Sequence, residues 1–195
     1  MNRVADLIRI ALILPAFAVL FALTSANIFA QDTTVTFISP AKAVERGKAP
    51  GMKVQTLSED KQTKEYAVIF GKGDEVVSGL LDFADKYGVK SAHFTAIGAL
   101  QGAKLGWFDP DQKMYREIRV DGQVEVLSMI GDIALYQDKP AVHTHMVVGS
   151  SDGTARGGHV IAAYVFPTLE VMVTVDPNAM QKKLDKETGL VLIDP

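Results

Sequence analysis

A series of short β-rich segments in the second half of the chain limits its possible folds more than any other feature. Between Ala92 and Val175, runs of β-branched and aromatic residues alternate with turn clusters of Asp, Gly and Pro. Connections this short favour antiparallel neighbours, because parallel strands need a crossover of a dozen or more residues. Seven strands are predicted, at Ala92–Leu100, Ala103–Phe108, Met114–Val120, Glu125–Ile130, Val142–Val148, Val160–Phe166 and Leu169–Val175.

One long helix is predicted before these strands, from Glu75 to Tyr87. Its apolar residues recur at three- and four-residue spacing, Asp74 is a suitable N-cap, and Gly88 suits the C′ position. Two further strands and a second short helix are expected at 64–70, 190–193 and 177–186. The fold class is therefore α+β, an antiparallel-rich β-sheet with one long helix packed on it.

Three of the four histidines lie close together in this series of strands. His143 and His145 are two residues apart, so on a strand both imidazoles project from the same face. If Asp152-Gly153 is the tip of the next hairpin, His159 lies opposite His145, with Cβ atoms ~4.5–5.5 Å apart. Three converging imidazoles suit a divalent metal with one open coordination position, as in catalytic zinc sites. The pattern predicts a metal site; the alternative is a set of surface or hydrogen-bonded histidines.

A glutamate that follows the histidines is a candidate for the chemistry. Glu170 begins a valine-rich strand directly after the His159 strand, where it would be a fourth ligand or a base for metal-bound water. The alternative is a carboxylate that faces solvent at a sheet edge, which we prefer for Glu125. His93, the remaining histidine, is interpreted as a satisfied core or edge residue.

The first thirty residues have the pattern of a secretory signal peptide. Arg3 and Arg9 supply the positive start, residues 10–23 contain no polar side chain, and small residues follow up to Ala30. Fourteen residues rise ~21 Å as a helix, short of a hydrocarbon core about 30 Å thick, so we expect cleavage and no stable membrane span. The expected product is a secreted or periplasmic bacterial protein, with a signal peptide at 1–30, a linker at 31–51 and one folded domain at 52–195.

Composition narrows the classes of partner. Without residues 1–30 the chain carries 18 basic and 22 acidic residues, a balance that gives no general attraction for phosphate backbones. Nucleic acid is therefore disfavoured as a partner. The chain contains no cysteine, which excludes disulfide bonds and leaves histidines and carboxylates as the strong metal ligands.

The order of the motifs resembles the plant and prokaryote conserved (PPC) domain from about residue 52 to the last residue. The segments that carry the resemblance are Gly73-Asp74-Glu75-Val76-Val77, Ile97-Gly98-Ala99-Leu100, residues 122–131, His143-Thr144-His145, Gly157-Gly158-His159-Val160 and Thr168-Leu169-Glu170-Val171. The resemblance implies an antiparallel-rich α+β domain that assembles as a homotrimer. In plants this domain follows AT-hook motifs in nuclear DNA-associated proteins, whereas this chain has no Arg-Gly-Arg-Pro hook.

The fold is also similar to that of acetolactate decarboxylase and related zinc proteins, in which a His-x-His and a later histidine hold zinc. By position, this likeness implies that His143, His145 and His159 are ligands of zinc or another divalent metal. We therefore expect an exported homotrimer that binds or acts on a small molecule, with Glu170 as the catalytic candidate. A DNA-associated PPC protein and a non-catalytic oligomeric scaffold are the alternatives.

Overall fold

The computed structural model describes residues 35–60 and 63–195. Across these residues nine strands join in one sheet, accompanied by one helix. The elements in chain order are β1 (Phe37–Ile38), β2 (Lys53–Glu59), β3 (Lys64–Phe70), α1 (Val76–Tyr87), β4 (Ser91–Asp109), β5 (Met114–Tyr136), β6 (Lys139–Gly149), β7 (Ala155–Val175), β8 (Gln181–Leu184) and β9 (Val191–Asp194).

Four long strands carry the fold. β4 pairs with β5 and β7, and β6 pairs with the same two strands, so β4, β5, β6 and β7 form a closed circuit of antiparallel pairs. β3 and then β2 extend the sheet from β7. The sheet is mixed rather than purely antiparallel, because β8 pairs with β5 in parallel at Leu135 and Gln181.

The predicted short strands are halves of longer ones. β4 covers both Ala92–Leu100 and Ala103–Phe108, and β5 and β7 likewise each join two predicted strands. β-bulges interrupt the register on β4 near Gly98 and Gly102, which lets the long strand bend without ending. Gly98 has φ +148°, and a Cβ there would lie 2.4 Å from Thr168 O, so only glycine fits at this bend.

The helix is capped by Glu75 and not by Asp74 as predicted. The Glu75 carboxylate accepts hydrogen bonds from Val77 N and Ser78 N, and also from Ala163 N on β7. Burial raises the pKa of Glu75, although these backbone N–H groups oppose the rise. The shorter Asp74 accepts from the loop amides Gly51 N and Gly71 N instead. Two adjacent carboxylates therefore divide the helix cap and the loop amides between them.

The core lies between the sheet and α1. The helix is 12 residues long, and its apolar face is fully covered, with Val76, Leu80 and Phe83 at 0% exposure. Tyr66 of β3 contacts Phe83 with ring centroids 5.3 Å apart. Burial of side chains of this size stabilises a fold by about 1.5–3 kcal/mol each, which is what fixes the helix on this face of the sheet.

The prediction of a second helix is wrong. The segment at 177–186 is not a helix, because Gln181–Leu184 forms β8 and pairs with β9. Within the segment predicted as a linker at 31–51, β1 pairs with β5, and Lys48 O accepts a hydrogen bond from Glu75 N. A two-residue strand is too short to show a periodic pattern in the sequence. No helix within the described ranges is long and apolar enough to cross a membrane, and the predicted signal peptide lies outside those ranges.

Candidate metal centre

The β6–β7 hairpin brings the second and third histidines together. His145 is the direct partner of His159 in the strand register, as the position of the turn predicts. The turn is closed by hydrogen bonds from Gly153 N to Ser150 O at 2.9 Å and from Ser150 N to Thr154 O at 2.8 Å. Opposed residues of an antiparallel pair share a face, so both imidazoles project from the same side of the sheet.

The three imidazoles form one compact cluster. His143 Nε2 and His145 Nε2 lie 3.3 Å apart, and one ring nitrogen from each of His143, His145 and His159 lies within 4.8 Å of the others. Two nitrogens bound to zinc at about 2.0–2.1 Å with tetrahedral angles are themselves about 3.3–3.4 Å apart. The first pair therefore already has the spacing of two zinc ligands.

One ring nitrogen of the half-buried His159 lacks a hydrogen-bond partner in the described part of the chain. A hydrogen bond between two neutral imidazoles has the same length as the 3.3 Å separation of His143 and His145, so that distance alone does not require a metal. However, Nδ1 of His159 is buried and has no hydrogen-bond partner among the described residues. Such an orphaned nitrogen is costly unless a ligand satisfies it. The donor set therefore fits a divalent cation.

The electrostatics keep the rings of His145 and His159 neutral, which is the form that binds metal. Burial lowers the pKa of His159 to about 3, with further contributions from His143, His145 and Lys182. Burial also lowers the pKa of His145, and the nearby His143 adds to the effect. At neutral pH both imidazoles therefore carry a free lone pair.

A carboxylate orients the first histidine from behind. Asp132 of β5 is the register partner of His143, and its Oδ2 lies 3.6 Å from His143 Nδ1. The buried Lys182 of β8 forms an ion pair with the other oxygen of Asp132, at 2.5 Å. Burial alone would raise the pKa of Asp132, but His143 and Lys182 outweigh it and lower the pKa. An anionic Asp132 favours a proton on Nδ1 of His143 and leaves Nε2 for a metal.

An aromatic ring fixes the third histidine. The rings of His159 and Tyr115 stack with centroids 4.3 Å apart and planes 6° from parallel. Tyr115 on β5 and His159 on β7 are separated by Gly106 of β4, where a Cβ would lie 3.0 Å from Tyr115 Cβ. The missing side chain at Gly106 therefore gives the two rings room to stack.

Residues 57–176 match the model of the Plants and Prokaryotes Conserved (PCC) domain. The chain belongs to this family. It is the family that the sequence motifs indicate, under the alternative abbreviation PPC. No curated protein matches the chain, and the likeness to acetolactate decarboxylase stays a prediction from the sequence.

Solved structures of three proteins resemble this PCC domain. A metal-containing protein from Archaeoglobus fulgidus is 28% identical, with a TM-score of 0.63 over 74% of this chain and 98% of that one. A plant- and prokaryote-conserved protein from Pyrococcus horikoshii is 27% identical, with a TM-score of 0.64 over 73% and 95%. A candidate DNA-binding protein from Bacteroides thetaiotaomicron is 25% identical, with a TM-score of 0.67 over 72% and 96%.

The structure does not bring Glu170 to the histidines of this PCC domain. On β4 the register partner of Glu170 is Ile97, whereas that of His159 is Gly106. Glu170 instead lines a shallow depression of about 460 Å³ together with Glu125. His93 is exposed and lies 3.9 Å from Asp176, so it is neither a core residue nor a member of the cluster.

Sequence reasoning missed three neighbours of the site, which are Asp132, Lys182 and Tyr115. The position of Asp132 could be predicted from the sequence, because a β5–β6 hairpin that turns at Gln137-Asp138 places Asp132 opposite His143. The position of Lys182 could not be predicted in this way, since the segment 177–186 is predicted to be a helix. Tyr115 lies in a predicted strand, and nothing in the sequence indicates that its ring packs on a candidate metal ligand of the PCC domain.

Proposed function

We propose that this PCC-domain protein binds one divalent metal ion, zinc in the first instance, through His143, His145 and His159. The observation that carries the proposal is the cluster of three ring nitrogens within 4.8 Å, together with the buried and unsatisfied Nδ1 of His159. The structural likeness to a metal-containing protein supports it. Three protein ligands leave a coordination position for a small molecule, which we propose the protein binds or acts on.

The residues of the chain would prepare the site, and the ion would supply Lewis acidity when bound. Asp132 holds the proton of His143 on the side away from the cluster, and Tyr115 keeps the plane of His159 fixed by stacking. The neutral rings of His145 and His159 need no deprotonation at neutral pH before they bind. Among the described residues of one chain, no carboxylate joins the three histidines as a further metal ligand.

We also propose that the protein is exported and acts as a homotrimer, as its family resemblance implies. The support for assembly is an apolar surface beside the histidines. Ile130 is the register partner of both His145 and Thr95, and Thr95 is also the partner of Met172, so these side chains share one face. The exposed apolar members of this face are Ile97, Ile130, Val147 and Met172. Contiguous apolar side chains of this size favour burial against another protein surface.

Metal analysis of the purified protein tests the proposal. We expect about one zinc per chain by mass spectrometry of the eluted metal. His159→Ala should hold less than a tenth of that amount, because it loses one of the three protein ligands. His93→Ala is the matched control, since His93 is exposed and lies outside the cluster. Wild-type protein that binds no divalent ion, or a His159→Ala variant that binds it unchanged, would refute the site.

A DNA-associated role is the second candidate, and the names of two structural neighbours favour it. The balance of 18 basic and 22 acidic residues beyond residue 30 opposes it, because nucleic-acid binding rests on neutralised phosphates. The discriminating measurement is retention of a fluorescent DNA duplex at low and moderate salt. Tight binding with a steep salt dependence would favour DNA, and its absence would leave the metal site as the basis of function.

A further inference from the structure

A second cleft, distinct from the histidine cluster, lies on the β4–β5 hairpin. Trp107 of β4 and Arg116 of β5 are register partners and share a face. The cleft has a volume of about 400 Å³, and its remaining lining residues are Glu117, Ile118, Arg119 and Arg156. The cleft is shallow and open to solvent, like the depression beside Glu170.

Trp107 and Arg116 share a face of the hairpin that does not carry the histidines. Tyr115 precedes Arg116 in sequence, so its side chain belongs to the opposite face, together with those of Glu117 and Arg119. That opposite face carries the stack of Tyr115 on His159. A ligand that contacts Trp107 and Arg116 therefore does not reach the histidines through the sheet.

The cleft carries an excess of positive charge. Within the described ranges, neither Arg116 nor Arg156 has a carboxylate within 4.0 Å, whereas Arg119 pairs with the exposed Asp121 at 3.4 Å. The one acidic lining residue, Glu117, is paired with Lys104 at 3.6 Å, and its side chain is only 6% exposed. Neither guanidinium group thus has a close ion-pair partner among the described residues, although Arg156 interacts electrostatically with Asp152 of the β6–β7 turn.

One of these arginines is held in place by the backbone. Arg156 extends from β7 and donates from Nη1 to Arg119 O at 3.1 Å. This hydrogen bond uses one edge of the guanidinium and leaves its other N–H groups available. Guanidinium groups match phosphate and carboxylate oxygens in a planar fork, which makes them the preferred side chain for such anions.

The aromatic member of the cleft is unusually open. Trp107 is 57% exposed, and an indole left in water beside arginines offers a flat surface on which a planar ring can stack. We propose that the cleft binds a small planar molecule that carries a phosphate or carboxylate group, with the ring on Trp107 and the anion between Arg116 and Arg156. A nucleoside monophosphate has this chemistry.

A small ligand fits better than a nucleic-acid strand. A strand requires a basic groove that follows several successive phosphates, and the chain beyond residue 30 carries more acidic than basic residues. The cleft, in contrast, concentrates its cations around one aromatic ring. The inference does not depend on the metal proposal, because none of the lining residues belongs to the histidine cluster.

Trp107 makes the test direct, because it is the single tryptophan of the chain. Adenosine monophosphate, adenosine and inorganic phosphate are titrated into the purified protein while tryptophan fluorescence is recorded. We expect saturable quenching by the monophosphate, at least about tenfold weaker binding of adenosine or phosphate alone, and weaker binding as salt rises.

Variants locate the site. Arg116→Gln and Arg156→Gln are each expected to weaken monophosphate binding by at least about tenfold. Arg46→Gln is the matched control and should change it by less than about twofold, because Arg46 is occupied by Asp82 and Asp85 elsewhere. His159→Ala should bind the monophosphate normally, which separates this result from the fate of the metal proposal.

Three results would overturn the inference. They are the absence of saturable quenching at millimolar monophosphate, equal binding by wild type and both cleft variants, and equal affinities for adenosine and its monophosphate. A single-stranded oligonucleotide that binds while the monophosphate does not would also overturn it, in favour of a strand-binding surface. Calorimetry with Trp107→Leu, which removes the ring but no charge, should confirm a loss of affinity without relying on fluorescence.

Discussion

Asp132 and His143 are direct cross-strand partners, and the Asp132 carboxylate lies 3.6 Å from Nδ1 of the imidazole. An anionic carboxylate at this distance favours a proton on Nδ1 of His143. An imidazole that donates from Nδ1 must present an unprotonated Nε2, and that nitrogen is the one 3.3 Å from His145 Nε2. The arrangement matches the carboxylate–histidine pairs that orient metal ligands in other proteins.

Asp132→Asn should therefore weaken zinc binding by about 10–100-fold, the usual effect of losing such a partner. The amide can present N–H to Nδ1 and so favour the wrong tautomer of His143. Competition with a fluorescent chelator measures the affinity. Asp121→Asn is the matched control, since Asp121 is exposed and pairs with the exposed Arg119.

Asp132→Asn also leaves Lys182 without its anionic partner. The resulting loss of stability must be separated from the effect of the substitution on the tautomer of His143. Lys182 has a side chain only 2% exposed, and breaking a buried pair costs about 3–5 kcal/mol. The double variant Asp132→Asn/Lys182→Met should recover most of this free energy of unfolding and keep the weak zinc affinity. Normal affinity in either variant would contradict the role of Asp132.

The free energy of unfolding of the metal-free protein should fall as pH falls, because His159 resists protonation in the folded state. Its folded pKa is about 3, whereas an unfolded histidine has a pKa of about 6.5. Between these values the unfolded chain binds a proton that the folded chain does not, so stability falls as pH falls and is fully retained above about pH 6.5. Urea unfolding of metal-free protein between about pH 7 and pH 4 measures this slope. His159→Gln should flatten it, and identical slopes would argue against a buried neutral imidazole.

Gly106→Ala tests whether the stack of Tyr115 on His159 depends on the missing side chain. The new Cβ would lie 3.0 Å from Tyr115 Cβ and 3.1 Å from Ile161 Cδ1. We expect a loss of about 1–3 kcal/mol in the free energy of unfolding, typical of overpacking, and weaker zinc binding because His159 is displaced. Gly71→Ala is the control, since its Cβ would meet nothing nearer than 3.8 Å.

The histidine cluster could be predicted because it depends on local geometry. Two of its members are two residues apart on one strand, and the third is fixed by a single tight hairpin. The same reasoning reaches Asp132, because Tyr136 pairs with Lys139 across a turn whose two residues, Gln137 and Asp138, have positive φ. What limits such reasoning is the number of hairpins that must be placed correctly.

The remaining contacts could not be predicted, because each depends on the pairing registers of several strands together. The stack of Tyr115 on His159 requires β5–β4 and β4–β7 pairing together, across a glycine. Lys182 comes from a four-residue strand with no alternating apolar pattern. Glu170 follows the segment of His159 in sequence, yet β7 is continuous and the two residues are separated by ~35 Å of extended chain.

Glu170→Gln should consequently leave zinc affinity within about twofold of wild type, because a neutral substitution this far along β7 changes no ligand of the cluster. His145→Ala, measured beside it, should lose most of the bound zinc. A large effect of Glu170→Gln would mean that the glutamate of a neighbouring chain reaches the metal, which would restore its predicted catalytic role in an assembled form.

Ile130→Lys tests the proposed homotrimer. Ile130 is 58% exposed and lies beside Thr95 and His145 on the apolar sheet face. A lysine buried in an interface would lose hydration without a partner, so light scattering should show the mass falling from three chains to one. Leu184→Lys is the control, because Leu184 is similarly exposed, at 51%, on β8.

Ile130→Lys also tests whether zinc binding requires the homotrimer. All three histidines come from one chain, and their convergence depends on the β6–β7 hairpin and the β5–β6 pairing within it. A dissociated Ile130→Lys chain should therefore still bind about one zinc with similar affinity. Loss of zinc together with loss of the trimer would place a required ligand on the neighbouring chain, whereas a monomeric wild-type protein would remove the assembly proposal and leave the metal centre intact.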